Sequence, residues 1–245
     1  LEEKQILQKI QRVGGTSAGA INAVLFAVGY SNNDTLKILK TLDFNDFKDD
    51  DWGMLRDMRR LREEYGWYKG DYFREWIGKL LQRKTGNADV TFKTLRETTG
   101  RDLFVYAANI STRFGEVYST EHTPRMRVAD AVRRSMSIPL FFKGIKDDRD
   151  DIFVDGGVLS NYPIKLFDRQ KYLDDQSLKR VPGYYQKENA AFIGRSPHSS
   201  PYIYNKETLG FRLDSGQEIA VFRDGQEPRR RHIQHFLVYT IQLIG

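Results

Sequence analysis

The fold is decided by the stretch Gly14-Gly15-Thr16-Ser17-Ala18-Gly19-Ala20. A short segment with apolar residues at both ends, residues 10–13, precedes it, and the apolar run 21–28 follows it. Small residues allow a chain to bend tightly, and a run that is apolar on nearly all sides is typical of a helix inside a large core. The sequence therefore predicts a strand, a tight turn that carries Ser17, and a buried helix.

Strand patterns and helix patterns alternate on both sides of this stretch. Nearly continuous apolar runs are typical of strands that are covered on both faces, and apolar residues at helical spacing predict the helices between them. The predicted strands are residues 10–13, 103–110, 116–119 and 151–154, and the predicted helices include residues 21–28, 91–100 and 127–136. The alternation predicts an α/β fold, a three-layer α/β/α sandwich with a central, mostly parallel sheet.

The composition is that of an ordinary globular protein, with 245 residues of which 40% are hydrophobic and 29% charged. The absence of cysteine excludes disulfides and thiolate catalysis, and four scattered histidines leave little for a metal site, so no metal and no other cofactor is expected. The sequence has no run of 18 apolar residues, so it predicts no membrane-spanning helix. The net charge of +6 favours an anionic membrane surface or a nucleic acid as a contact.

We interpret residues 1–245 as a single domain. Residues 43–90 stand out within it because they hold all three tryptophans and the basic run 56–62. They predict a helical, aromatic-rich insertion that packs on the main core, or a lid that docks on lipid headgroups. From Asp174 to about Pro201 the pattern weakens, which indicates a loop or a partly disordered segment.

The first residue, Leu1, is not a methionine, and no helix start signal precedes the opening amphipathic residues. We therefore interpret the chain as an internal fragment, in which the lack of a signal peptide carries no information about secretion. The expected location is cytoplasmic or peripheral to a membrane.

Gly15-Thr16-Ser17-Ala18-Gly19 is a G-x-S-x-G motif. A serine becomes a nucleophile when it is exposed, strained into place and relieved of its proton, and a sharp strand-to-helix turn supplies the first two conditions. The following helix directs its positive end at a developing oxyanion. Gly15 and Gly19 are expected to be as indispensable as the serine, so Gly19→Val should abolish activity. A plain glycine-rich turn is an alternative. A phosphate-binding loop would require a lysine after the motif, and none follows it here.

Asp155-Gly156-Gly157 follows an apolar strand, and strand ends in α/β folds gather functional side chains. The two glycines allow the chain to turn away steeply and leave the carboxylate uncovered. By its residue chemistry alone, an Asp-Gly-Gly sequence is most often just a turn. Ser17 needs a base, however, and the candidates are a histidine or a carboxylate.

The blocks 15–20, Ser135-Met136-Ser137-Ile138-Pro139 and Val154-Asp155-Gly156-Gly157-Val158 follow one another, with Asn161-Tyr162-Pro163-Ile164 soon after. Over about residues 1–170 they resemble the patatin-like phospholipases. The resemblance implies a lipid acyl hydrolase that cleaves phospholipids or lysophospholipids, with Ser17 as nucleophile, Asp155 as its base and no catalytic histidine. Family members also carry a glycine-rich oxyanion loop shortly before the serine motif, and none is visible in this chain.

Two alternatives stay open at this point. An α/β-hydrolase-type esterase would complete a Ser–His–Asp triad with His198, His232 or His235, although none lies in a recognisable catalytic turn. A non-catalytic module could use the basic patches 56–62 and 229–231 to bind a partner. No recognised nucleic-acid motif accompanies these patches, so no nucleic acid is expected as a partner.

Overall fold

The computed structural model describes residues 5–42, 66–192 and 200–212, together with positions 223, 225 and 227. These residues divide into two compact units, the first ending at Asn161 and the second beginning at Tyr162. The interpretation of residues 1–245 as a single domain stays a prediction.

The first unit combines short strands with α-helices. Its strands are β1 (Arg12–Thr16), β2 (Gly66–Tyr68), β3 (Asp102–Asn109), β4 (Phe114–Ser119), β5 (Leu140–Phe142), β6 (Ile145–Lys146) and β7 (Ile152–Asp155). Its α-helices are α1 (Ala18–Ala27), α2 (Asn32–Lys40), α3 (Asp71–Thr85), α4 (Phe92–Thr99), α5 (Val128–Ser135) and α6 (Gly157–Ser160). The ends of α4 follow local chemistry, since the Thr91 hydroxyl accepts a hydrogen bond from the backbone N–H of Thr94 and Gly100 closes the helix at φ 71°.

Strand β3 organises the main sheet. It pairs in parallel with β1 through residues 102–106, and antiparallel with β4 through residues 104–109 and with β7 through residues 107–109. Because β4 occupies one edge of β3 over residues 104–109, β1 and β7 must both lie along the opposite edge, one after the other.

The ends of β1 and β7 therefore meet. Thr16, the last residue of β1, is paired with Tyr106, and Asp155, the last residue of β7, is paired with the next residue of β3, Ala107. The two strands run toward each other, so the residues that follow them leave the sheet at the same place. Ser17 is one of those residues.

The α/β class with flanking helices is confirmed, but the sheet is mixed rather than mostly parallel. Within the described residues, β1 with β3 is the one parallel pairing of the five-stranded sheet, and β2 with β5 forms a separate parallel pair. Residues 110–113 connect β3 to β4. A parallel pairing needs a crossover of a dozen or more residues, so this short connection enforces an antiparallel one.

The core of the first unit lies between the sheet and its helices. Helix α1 is buried along most of its length, as its apolar sequence predicts. Helix α3 contributes Phe73, Ile77 and Leu81, which have no exposed area. The described end of the segment 43–90 thus supplies core, while residues 43–65, with the basic run, lie outside the described residues and the lid stays a prediction there.

The second unit contains the 3-10 turns Ile164–Leu166, Gln170–Tyr172 and Gln176–Leu178 and helix α7 (Gly183–Phe192). Tyr185 is buried in it, donates a hydrogen bond to Asp168 Oδ2 at 2.5 Å and stacks on Tyr202 with 5.3 Å between ring centroids. The prediction of a loop or partly disordered segment was wrong over α7. The contacts that bury Tyr185 come from residues distant in sequence, so no local sequence pattern predicts this helix.

Candidate active site

Ser17 lies on a strained turn between β1 and α1. Its backbone has φ 52° and ψ −128°, a conformation that a residue with a side chain rarely adopts and that persists only when the surrounding structure fixes it. A Cβ added at Gly15 would lie 2.2 Å from the carbonyl oxygen of Gly19, so the turn can close only with glycine at position 15. The side chain of Ser17 is half-buried at the start of α1. This is the geometry of a nucleophile elbow.

Gly19 departs from the expectation drawn from the motif. A Cβ added there meets no atom within 4 Å, and the residue is exposed. The steric restriction therefore falls on Gly15 and not on Gly19. The reason is directional, because the carbonyl of Gly19 faces Gly15 whereas the Cα hydrogen of Gly19 faces open space.

Asp155 ends β7 and is 6% exposed. Its Oδ1 accepts a hydrogen bond of 2.7 Å from the backbone N–H of Gly157. Its Oδ2 is the one buried side-chain nitrogen or oxygen, among the residues described, that has no hydrogen-bond partner. Burial raises the pKa of this carboxyl, and the interactions with the Ser17 hydroxyl and the Gly157 amide oppose that rise.

The hydroxyl of Ser17 lies close enough to the Asp155 carboxyl to lower its pKa. Its hydrogen bond in this structure nevertheless goes to Sδ of Met136, at 3.4 Å, and not to Oδ2. Sulfur is a weak acceptor. The structure therefore places the residues predicted as nucleophile and base at the meeting ends of β1 and β7. The Ser17 hydroxyl is weakly held there, and one buried oxygen of the Asp155 carboxylate has no hydrogen-bond partner.

The two glycines after Asp155 are tightly packed. A Cβ at Gly156 would lie 2.2 Å from Thr16 Oγ1 and 2.6 Å from the carbonyl oxygen of Tyr106. A Cβ at Gly157 would lie 3.0 Å from Asp155 Oδ1. Gly156 is thus the point at which the chain after β7 passes the end of β1, and a side chain there would force the two strand ends apart.

The segment 135–137 holds both halves of the site, a role that its sequence motif does not show. The backbone N–H of Ser17 donates to Ser135 Oγ at 2.9 Å, and the backbone N–H of Asp155 donates to the carbonyl oxygen of Ser137 at 2.8 Å. Met136 lies between them and accepts from the Ser17 hydroxyl. The signal available in the sequence was the block that ends at Pro139, directly after a helix.

A family model described as patatin-like phospholipase matches residues 1–168. The chain belongs to the patatin-like phospholipase family. The match confirms the resemblance carried by the motifs around Ser17, Ser135 and Asp155. The matched residues include those up to Asn161, which build the mixed sheet and the site, and the match continues to residue 168.

Three curated proteins are similar to this patatin-like chain. It is 30% identical over 164 residues to the uncharacterized protein R571 of Acanthamoeba polyphaga mimivirus, covering 65% of this chain and 51% of that protein. It is 35% identical over 185 residues to the uncharacterized protein YqhO of Bacillus subtilis strain 168, covering 70% and 60%. It is 27% identical over 166 residues to the probable lipid hydrolase 463L of Invertebrate iridescent virus 6, covering 65% and 54%. The chain thus spans about half to three fifths of the length of these relatives.

A solved structure supports the fold of the patatin-like unit. The crystal structure of VipD from Legionella pneumophila superposes with a TM-score of 0.53 at 18% sequence identity, covering 65% of this chain and 42% of that chain. At this identity the likeness shows the fold alone.

The histidines were the alternative source of a base for Ser17. His122 lies in an exposed turn after β4, where its Nδ1 is hydrogen-bonded to Ser119 Oγ at 2.8 Å. His198, His232 and His235 lie outside the described residues. In the parts of this patatin-like chain that the structure describes, no group of three His, Asp or Glu side chains could hold a metal ion.

Proposed function

We propose that this chain is a lipid acyl hydrolase that cleaves fatty acyl esters of phospholipids or lysophospholipids through a Ser17–Asp155 dyad. The observation that carries the proposal is Asp155 Oδ2, a buried carboxylate oxygen without a partner, beside a serine hydroxyl on a strained strand-to-helix turn. Membership of the patatin-like phospholipase family supports a hydrolase. The similarity to a relative named as a probable lipid hydrolase supports the lipid substrate.

In the first half of the reaction, the Ser17 hydroxyl leaves Met136 Sδ and donates to Asp155 Oδ2. The carboxylate takes the proton as Oγ attacks the ester carbonyl, which gives a tetrahedral oxyanion. The oxyanion collapses to an acyl-enzyme, and the proton held by Asp155 passes to the departing alcohol oxygen. Helix α1 begins at Ala18 and directs its positive end at the oxyanion.

In the second half, Asp155 accepts a proton from water while the water oxygen attacks the acyl carbon. Collapse of the second tetrahedral intermediate releases the fatty acid and returns the proton to Ser17. A carboxylate near its ordinary pKa is a poor base at neutral pH. The burial that raises the pKa of Asp155 therefore makes it a stronger base for both steps.

The surroundings of Asp155 support an acyl chain as the bound group. Helix α6 begins two residues after it and exposes Val158 by 52% and Leu159 by 43%. Apolar side chains next to the base suit a fatty acyl chain, and the net charge of +6 suits peripheral contact with an anionic membrane. Within the part of the chain that is described, no helix has the length and apolarity to cross a membrane.

The test is made in the full-length protein with Ser17→Ala and Asp155→Asn. A fluorophosphonate probe reports the nucleophile, and vesicles of phosphatidylcholine and phosphatidylglycerol, with and without lysophosphatidylcholine, report fatty acid release. Both variants should lose fatty acid release, and Ser17→Ala should also lose the label. Ser177→Ala, a serine in the second unit, and Asp147→Asn, a carboxylate outside the site, are the matched controls. Labelling at another residue, or full turnover by Ser17→Ala, would overturn the proposal.

A further inference from the structure

We propose that Ser135 is a positioning residue, whose hydroxyl holds the strained Ser17 turn in place against the centre of the sheet. The inference rests on the proposed function, because it concerns the nucleophile of that reaction. Ser135 does not touch the substrate in this proposal. It acts through the backbone of Ser17.

The Ser135 hydroxyl is hydrogen-bonded to Tyr106 as a donor and to Ser17 as an acceptor. The residue has no exposed area. Its Oγ donates to the carbonyl oxygen of Tyr106 at 2.7 Å and accepts from the backbone N–H of Ser17 at 2.9 Å. A hydroxyl has a single proton. The bond to Tyr106 therefore uses that proton and leaves a lone pair of Oγ aimed at Ser17.

Tyr106 is a rigid anchor for this contact. It lies within β3, the strand that pairs with β1, β4 and β7, and it is the partner of Thr16 in the sheet. The hydroxyl of Thr16 donates to the same carbonyl oxygen at 3.3 Å. Two consecutive hydrogen bonds, from Ser17 to Ser135 and from Ser135 to Tyr106, thus connect the turn to the middle of the sheet.

The strain of Ser17 gives this connection its importance. A residue other than glycine at φ 52° relaxes unless its neighbours fix it. Gly15 permits the turn, but it supplies no force that holds Ser17 in it. The hydrogen bond from the Ser17 amide to Ser135 supplies that force, and a relaxed turn would carry Oγ away from Asp155.

The same amide bond has a chemical consequence. Because the N–H of Ser17 donates to Ser135 Oγ, it is not available to the oxyanion. Stabilisation of the oxyanion must come from other donors, and the role of Ser135 is confined to the position of the nucleophile. We therefore expect its loss to lower turnover without changing substrate affinity.

Ser119, the last residue of β4, provides a matched control outside the site. It also has no exposed area, and its hydroxyl oxygen also takes part in two hydrogen bonds. Both of those bonds involve His122, at 2.8 Å from Nδ1 and 3.2 Å from the backbone N–H. Ser119→Ala therefore removes a buried hydroxyl of the same kind without removing a contact of Ser17 or Asp155.

The experiment compares Ser135→Ala with Ser119→Ala in the full-length protein. The readouts are the second-order rate of fluorophosphonate labelling at Ser17, kcat and KM for p-nitrophenyl butyrate, and urea unfolding. Ser135→Ala should lower labelling and kcat by about 10- to 100-fold, as a displacement of the nucleophile by about 1 Å would, with KM unchanged within about twofold. Ser119→Ala should stay within about threefold of the wild type in labelling.

Two further variants separate hydrogen bonding from packing. Ser135→Cys fills the same space but hydrogen-bonds weakly, and it should lose labelling as Ser135→Ala does. Ser135→Thr keeps the hydroxyl and should recover labelling to within about fivefold of the wild type. If Ser135→Ala does not fold, the Cys and Thr variants carry the comparison. Equal losses in Ser135→Ala and Ser119→Ala, or full labelling of Ser135→Cys, would overturn the proposal.

The two proposals fail in different ways. A wild-type protein that is not labelled at Ser17 would contradict the proposed function itself. Labelling at Ser17 that is insensitive to every Ser135 variant would contradict the positioning role and leave the dyad standing.

Discussion

Gly15 and Gly19 occupy equivalent places in the G-x-S-x-G motif, yet the structure predicts opposite results when each is replaced by alanine. The Cβ of Gly15→Ala would lie 2.2 Å from the carbonyl oxygen of Gly19, where ordinary contact begins near 3.4 Å. The Cβ of Gly19→Ala would meet nothing within 4 Å. One substitution therefore displaces backbone on both sides of Ser17, and the other adds a methyl group to open space.

The magnitudes follow from these distances. Since the atom that Gly15→Ala meets is backbone, the strand end or the first turn of α1 must move by about 1 Å. Overpacking of this kind costs about 1–3 kcal/mol or more in the free energy of unfolding. A nucleophile displaced by about 1 Å loses about 10²-fold in rate. Gly19→Ala lies in the first turn of a helix, where alanine is favoured over glycine by up to about 1 kcal/mol, so its stability should be unchanged or slightly raised.

Urea unfolding and the rate of fluorophosphonate labelling measure the two effects in parallel. Gly15→Ala should unfold at lower urea and label about 10²-fold more slowly, whereas Gly19→Ala should label within about threefold of the wild type. Equal losses in the two variants would refute the reasoning, since they would mean that the motif and not the contact at Gly15 sets the requirement. A loss confined to Gly19→Ala would refute it as well.

Three further predictions concern Asp155 and the segment beside it. Burial raises the pKa of Asp155, so folding favours its neutral form and the wild type loses stability as pH rises from the ordinary aspartate pKa of about 3.9 through the raised value. Asp155→Asn should therefore be at least as stable as the wild type in urea at pH 7, with the advantage shrinking below about pH 3.9; a variant that is clearly less stable at pH 7 would contradict this. As pH falls, kcat/KM should decline with a midpoint above about pH 3.9, because the reaction needs ionised Asp155, whose pKa burial raises. A decline with its midpoint near about pH 6.5 that disappears when one histidine is replaced would favour a Ser–His–Asp triad instead. Arg133→Ala should lower the free energy of unfolding by about 2–4 kcal/mol, because the buried guanidinium donates to Ser137 Oγ and to the carbonyl oxygen of Lys143. Arg134→Ala is the control, since Arg134 is only half-buried. Equal losses of stability in the two variants would contradict the prediction.

Much of the fold follows from local sequence because the signals are local. The strand, turn and helix around Ser17 lie at residues 12–27, close to the predicted segments. Helix α4 is flanked by Thr91 and Gly100, residue types that are typical of helix caps. The α/β class follows from the same alternation. The mostly parallel sheet was wrong because pairing direction depends on connections, and the loop predicted over 183–192 was wrong because that helix is buried by distant residues.

The sequence by itself identified Ser17 and Asp155 as the candidate nucleophile and base. Ser17 follows from a local motif, whereas Asp155 follows from the family resemblance of several blocks, because an Asp-Gly-Gly sequence alone is most often a turn. Only the tertiary structure decided that they meet, because their proximity depends on two strands ending at neighbouring residues of β3. The same holds for Ser135 and for the difference between Gly15 and Gly19. A hydrogen bond across the fold, or a Cβ facing a distant backbone, is set by packing that no stretch of sequence contains.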